Sequence, residues 1–167
     1  IVCENWRNLI AVGAKPLAIT NCLNFGNPEN EEIMGEFVEC LEGIKQTCEF
    51  LDYPVVSGNV SFYNGTNRKN INPTPVIGGV GLIKKLSKPI NHNFKQENSH
   101  LVLIGKTFGH IEQSCFLREN YSIIEGSPPE INLINEKNNG ESLLKLIGND
   151  YVLSSHDVSS GGLITAL

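Results

Sequence analysis

The sequence predicts a layered α+β fold, in which short strands of α/β type alternate with one long amphipathic helix. Three observations carry that expectation. Ile33, Phe37, Leu41, Ile44, Cys48 and Leu51 recur at three- and four-residue steps, the period of a helix with one buried stripe. Lys15–Thr20, Pro54–Ser57 and Pro73–Ile83 are short runs rich in apolar and β-branched residues, bounded by Asn, Gly and Pro. No apolar run approaches the length of a bilayer crossing, so no membrane role is expected. Strands alternating with such a helix bury one sheet face beneath it.

Taken in order, Ile1–Val12 reads as a helix with no capping residue, and Lys15–Thr20 as a short buried strand. Asn21–Pro28 reads as a polar loop. Pro28, Glu29, Glu31 and Glu32 then fall in the first turn of the long helix, where the helix dipole favours acids, and the helix runs down to Asp52. Pro54–Ser57 is expected as a second strand opening into a loop from Gly58 to Gly65, with a polar turn through Asn70. Pro73–Ile83 is a longer strand whose glycines mark a bulge or a close backbone approach. From Lys84 to His100 apolar residues thin out in favour of Lys, Pro, Asn and His. Beyond it, strands are expected at Leu101–Gly105 and Tyr151–Ser154, and helices at Ile111–Arg118 and Asn135–Ile147. The division that follows is a domain over 1–86, a linker over 87–100 and a second domain over 101–167. Both ends fall inside helical patterns, so the chain reads as an internal piece of a longer polypeptide, truncated at its start and at its end.

Composition narrows the functional classes. Lys and Arg number 13 against 18 Asp and Glu, a net charge of −5, and no basic stripe is evident, which argues against nucleic acid as a partner. The five cysteines are odd in number and none are closely paired, as expected of reduced thiols in a cytoplasmic protein. Cys40 and Cys48 lie on the stripe side of the long helix and read as packing residues.

No Walker A run is present, and Gly78-Gly79-Val80-Gly81 lacks the spacing of a dinucleotide fingerprint. Three places could bind a ligand. In Ser57-Gly58-Asn59-Val60-Ser61 a glycine admits ligand oxygens to the main chain, while Asn and Ser offer neutral oxygens to a hard cation or a phosphate; the same residues also make ordinary turns. Glu4 and Asn8 share one helical face, able to offer a carboxylate and an amide oxygen to Mg2+ or simply to meet solvent. Asp157 precedes Gly161-Gly162 and a nascent helix, as a metal ligand or as an N-cap or Asx turn. His156 and Asp157, adjacent in an extended segment, should point opposite ways and form no dyad.

The runs Arg7-Asn8-Leu9, Val12 to Pro28, Pro54 to Asn64, Pro73 to Gly81 and His156 to Ser159, in this order and at this spacing, resemble the phosphoribosylformylglycinamidine synthase family. The resemblance spans nearly the whole chain, weakening over Lys84–His100 and Ile123–Gly140. It implies a PurM-like (AIR synthetase-like) N-terminal domain followed by a truncated C-terminal α/β domain, from the second of two modules of the synthetase. It further implies an ATP-dependent ligase that passes glutamine-derived ammonia to a phosphorylated amide, with ATP as substrate and Mg2+ as cofactor. The implied partners are the remainder of the same chain, a glutaminase subunit, a small accessory subunit and small-molecule substrates.

Residue by residue, the resemblance implies ATP contacts at Asn21 and Gly58, a Mg2+ ligand at Asn59 and a substrate contact at Ser61. It implies an auxiliary nucleotide site with Mg2+ ligands Glu4, Asn8 and Asp157 and a nucleotide contact at Ser159. Asn21 replaces an Asp common in relatives, and Ser160 replaces another, which removes charge from any metal shell. The family's general-base histidine has no counterpart here, so no catalytic residue is assigned and the chain alone should be inactive. Two departures from Asp motivate a rival expectation, a structural or docking half with a degenerate nucleotide site. A selenophosphate synthetase or thiamine phosphate kinase is disfavoured, because their Asp-rich metal motif is missing from the N-terminus.

Overall fold

A computed structural model describes residues 1–84 and 90–167, which form two compact units. Unit 1 comprises 1–9 and 14–84, and unit 2 comprises 10–13 and 85–167. The end of the expected first domain and the first three residues of the expected linker lie outside the described residues.

Helix α1 (Val2–Ala11) ends at Gly13, whose φ of 80° lets its N–H reach Ile10 O at 2.8 Å while Ala14 N–H reaches Leu9 O at 2.9 Å. This left-handed stop satisfies the last carbonyls and releases the chain into β1 (Lys15–Asn24). Helix α2 (Glu31–Leu51) is capped by Asn30, whose side chain accepts from Glu32 N at 2.9 Å, and ends at left-handed Asp52. Pro28 and Glu29 therefore precede the helix instead of forming its first turn, because the cap falls at Asn30. Strand β2 (Val55–Ser61) returns parallel to β1, and β5 (Thr74–Leu82) pairs antiparallel to it, giving the order β2-β1-β5. Between them β3 (Gly65–Thr66) and β4 (Lys69–Asn70) form a hairpin around Asn67 and Arg68, both at positive φ, as a tight two-residue turn requires.

One face of the sheet is covered. Ile19, Leu23 and Phe25 are buried with Ile33, Ile44, Cys48 and Leu51 of α2 and Val2, Cys3 and Trp6 of α1. Phe37 of α2 stands edge-on to both Phe25 and Phe62, at centroid distances of 5.1 and 5.0 Å. Burial pushes the Cys48 and Cys40 thiols up, in line with packing and against a nucleophilic role. The other face is open: Thr20 and Gly78 lie on it, and Val76, Val80 and Leu82 of β5 are each at least half exposed.

Two expected loops are strand instead. Strand β1 continues through Asn21 to Asn24, and β2 continues through Gly58 and Asn59 to Ser61. Asn, Gly and Ser favour turns locally, but here the ladder from Asn21↔Gly58 to Asn24↔Ser61 pairs their main chains on both strands.

Unit 2 contains α3 (Cys115–Tyr121), α4 (Leu133–Gly148) and α5 (Gly162–Ala166). Helix α4 fulfils the expectation over Asn135–Ile147, whereas α3 starts four residues later than expected, at the Ser114 cap, whose hydroxyl accepts from Leu117 N at 3.2 Å. The strands expected at Leu101–Gly105 and Tyr151–Ser154 are not formed: among the described residues of this unit there is no ladder for them to join, and Val102 stays 78% exposed. Between 90 and 167 no apolar side chain is fully withdrawn from solvent; among the described residues, the buried apolar residues of this unit are Ile10 and Ala11. No helix among the described residues is long and apolar enough to cross a membrane.

Candidate functional site

The strand period decides which site residues can act together. In the β1–β2 register, Thr20↔Ser57, Cys22↔Asn59 and Asn24↔Ser61 fall on the open face, while Asn21↔Gly58 and Leu23↔Val60 fall on the helix face. Asn59 and Ser61 are thus separated from the Asn21 side chain by the sheet itself. They meet at Gly58, on the edge strand. The Asn21 amide oxygen lies across Gly58, at the place a β-carbon would take, so only glycine lets Asn21 cover that stretch of main chain.

An open depression of about 420 Å³ occupies the outer side, lined by Thr20, Cys22, Ser57, Asn59, Val76 and Gly78 with the Asn21–Gly58 pair at its edge. A second, of about 440 Å³, runs over the β2 edge, lined by Asn21, Leu23, Phe37 and Val60 on the helix side and also by Ser57, Gly58 and Asn59. Neither lining contains a charged side chain. The Asn59 amide is exposed and, among the described residues, has no hydrogen-bond partner. It fits Mg2+ as one neutral oxygen ligand but not as a complete shell, because that ion commonly also takes carboxylates, phosphate oxygens or water. Ser61 is half-buried, and its hydroxyl lies against the amide of Asn64.

The auxiliary set is spread over both units. Glu4 and Asn8 are exposed on α1, one turn apart on the same face. Asp157 and Ser159 belong to the loop before α5, where the N-cap is Gly161 and not Asp157. His156 and Asp157 do come together, with Nδ1 3.4 Å from Oδ1 and 2.5 Å from the Asp157 carbonyl oxygen, against the expectation that they point opposite ways. Among the described residues no three His, Cys, Asp or Glu side chains gather as a metal site.

Three residues absent from the sequence-based site hold its frame. Tyr53, fully buried, donates its hydroxyl to Asn5 Oδ1 at 2.7 Å, and Asn5 Nδ2 reaches Ile77 O at 3.4 Å, which ties α1 and the end of α2 to β5. Burial, with Cys48 nearby, pushes the Tyr53 phenol up to about 12. Gly79 leaves the space this pair fills. Only the glycines of β5 signalled such a contact in the sequence; the partners are 48 and 72 residues apart.

Residues 1–83 match the family AIR synthase related protein, N-terminal domain. Over its whole length the chain is 61% identical to phosphoribosylformylglycinamidine synthase subunit PurL of Pelagibacter ubique, and over 99% of its length 52% identical to that of Bradyrhizobium diazoefficiens. It spans about 23% of each of these curated relatives. Phosphoribosylformylglycinamidine synthase II of Thermotoga maritima is 44% identical over 48% of this chain and 13% of that one, with a TM-score of 0.45. That protein has also been solved with ATP and with FGAR. Residues 1–83 are thus similar to the N-terminal domain of AIR synthase related proteins, and along its whole length the chain is similar to part of the PurL subunit of phosphoribosylformylglycinamidine synthase.

Proposed function

We propose that this chain is the portion of an ATP-dependent phosphoribosylformylglycinamidine synthase that brings metal, nucleotide and substrate contacts to a cleft completed by the rest of the synthetase. The observation that carries this reading is the single stretch of β2 on which Gly58 and Asn59 line an uncharged, open depression, with Ser61 two positions further along the same strand. Gly58 lets the Asn21 amide lie across its main chain, and the Asn21–Gly58 pair would meet the nucleotide; Asn59 offers a neutral oxygen to Mg2+; Ser61 offers a hydroxyl to the ribonucleotide. Mg2+ would neutralise charge on the triphosphate while Asn59 orients it. In the reaction the γ-phosphoryl group passes to the amide oxygen of formylglycinamide ribonucleotide. Ammonia's lone pair then forms the C–N bond, the C–O bond to phosphate breaks, and amidine, ADP and phosphate leave.

The uncharged lining is why the chain alone is expected to be inactive, since transition-state charge on a transferring phosphoryl group needs cationic or dipolar partners. The exposed Val76, Val80 and Leu82 favour coverage of the open face by the remainder of the same polypeptide. In this reading residues 1–86 are the ATP-binding-like domain and 101–167 the front of the following α/β domain. Glu4, Asn8, Asp157 and Ser159 would serve an auxiliary nucleotide, a glutaminase and a small accessory subunit would complete the complex, and the setting would be cytoplasmic. The same lack of charge favours a second reading, a structural half with a degenerate nucleotide site.

Steady-state kinetics of the complete synthetase with Ser61→Ala separates the two. A substrate contact predicts a KM for the ribonucleotide raised about fivefold, the equivalent of one hydrogen bond. A structural half predicts an unchanged KM.

A further inference from the structure

We propose that Asn64 is a positioning residue that turns the Ser61 hydroxyl into a hydrogen-bond acceptor, so that the substrate group it meets is a donor, an amide N–H or a ribose O–H. This rests on the reading of Ser61 as a substrate contact. Asn64 Nδ2 donates to Ser61 O at 2.9 Å, to Phe25 O at 3.0 Å and, sharing its two protons, to Ser61 Oγ at 3.1 Å. Two carbonyls on the nitrogen side fix the amide, because the flipped orientation would set oxygen against oxygen. Its Oδ1 is then 3.3 Å from Ser61 Oγ and takes the hydroxyl proton. A hydroxyl has one proton and two lone pairs, so with the proton held by Asn64 Oδ1 and one lone pair facing Asn64 Nδ2, what remains for a ligand is a single acceptor lone pair.

The side chain is not required merely to join the strand ends. Phe25 N donates to Ser61 O at 3.0 Å and Asn64 N to Phe25 O at 3.1 Å, and both main-chain bonds survive truncation of the amide. What truncation removes is the orientation of the hydroxyl.

The test is a double-mutant cycle of Asn64→Ala with Ser61→Ala in the complete synthetase, reading KM for the ribonucleotide, KM for ATP and kcat. Asn64→Ala is expected to raise the ribonucleotide KM about threefold to tenfold, with kcat and the ATP KM within about twofold of wild type. In the Ser61→Ala background it should add less than about twofold. Equal effects of Asn64→Ala in both backgrounds, or an unchanged KM in Asn64→Ala alone, overturn the inference while leaving Ser61 as a contact. An unchanged KM in Ser61→Ala instead removes the substrate reading, and the inference falls with it. Should Asn64→Ala not fold, Asn64→Gln, which keeps both amide groups one methylene further out, is read in the same cycle against the same outcomes.

Discussion

Gly58→Ala is expected to lower the stability of the sheet and to cut turnover of the complete synthetase about 100-fold. The new methyl group would fall on the Asn21 amide oxygen and come within 2.7 Å of the Asn21 main-chain oxygen. The side chain could swing away, but the carbonyl is fixed by the β1–β2 ladder, so relief requires the strands to part at Asn21↔Gly58. Overpacking of this kind costs about 1–3 kcal/mol. The shift is also passed to Asn59 and, two positions on, Ser61, and a displacement of about 1 Å in a positioning group can cost about 10²-fold in rate. Urea unfolding of the 167-residue chain, followed by fluorescence of Trp6, its only tryptophan, measures the first effect. Steady-state turnover measures the second. Wild-type values for both would mean that the close approach of Asn21 to Gly58 has no bearing on the site.

Gly79→Ala is expected to have the largest effect on stability alone, about 3 kcal/mol. Its β-carbon would collide with Asn5 Oδ1 and the Tyr53 hydroxyl at once, and Tyr53 is fully buried, with no direction in which to yield. The substitution therefore combines overpacking with the loss of a buried hydrogen bond, each about 1–3 kcal/mol. Tyr53→Phe removes the hydroxyl and part of the collision, so the cost of Gly79→Ala should shrink in that background. Urea midpoints of the two single variants and the double variant test this. Strict additivity would show that Gly79 and Tyr53 do not share the space assigned to them.

The helices were the most legible part of the sequence, because a buried stripe repeats at every turn. The spacing from Ile33 to Leu51 located α2, although Pro28 and Glu29 set its expected start up to three residues early, and Leu143, Leu144 and Ile147 located α4. Strand ends were not legible where polar residues sit in a ladder. Asn21 and Asn24 in β1, and Gly58, Asn59 and Ser61 in β2, carry turn chemistry that pairing across the sheet overrides. Extending both strands would have placed Thr20 and Cys22 beside Asn59, and would have split Asn21 from Asn59 by face. Conversely, Leu101–Gly105 is apolar enough for a strand yet has none to pair with among the described residues, and an apolar run without a ladder does not make one. The Asn5–Tyr53–Gly79 contact depends on three segments far apart in the chain, which no local pattern records.

The central claim is that Asn59 gives an oxygen to the magnesium of a bound nucleotide. Isothermal titration of Mg·ATP into the complete synthetase carrying Asn59→Ala tests it most directly, with a titration of ATP in EDTA as the metal-free control. If the claim holds, Asn59→Ala weakens Mg·ATP binding about tenfold, of the order seen when support for a bound metal is lost, and leaves metal-free binding unchanged. The same Mg·ATP affinity in wild type and Asn59→Ala would contradict it.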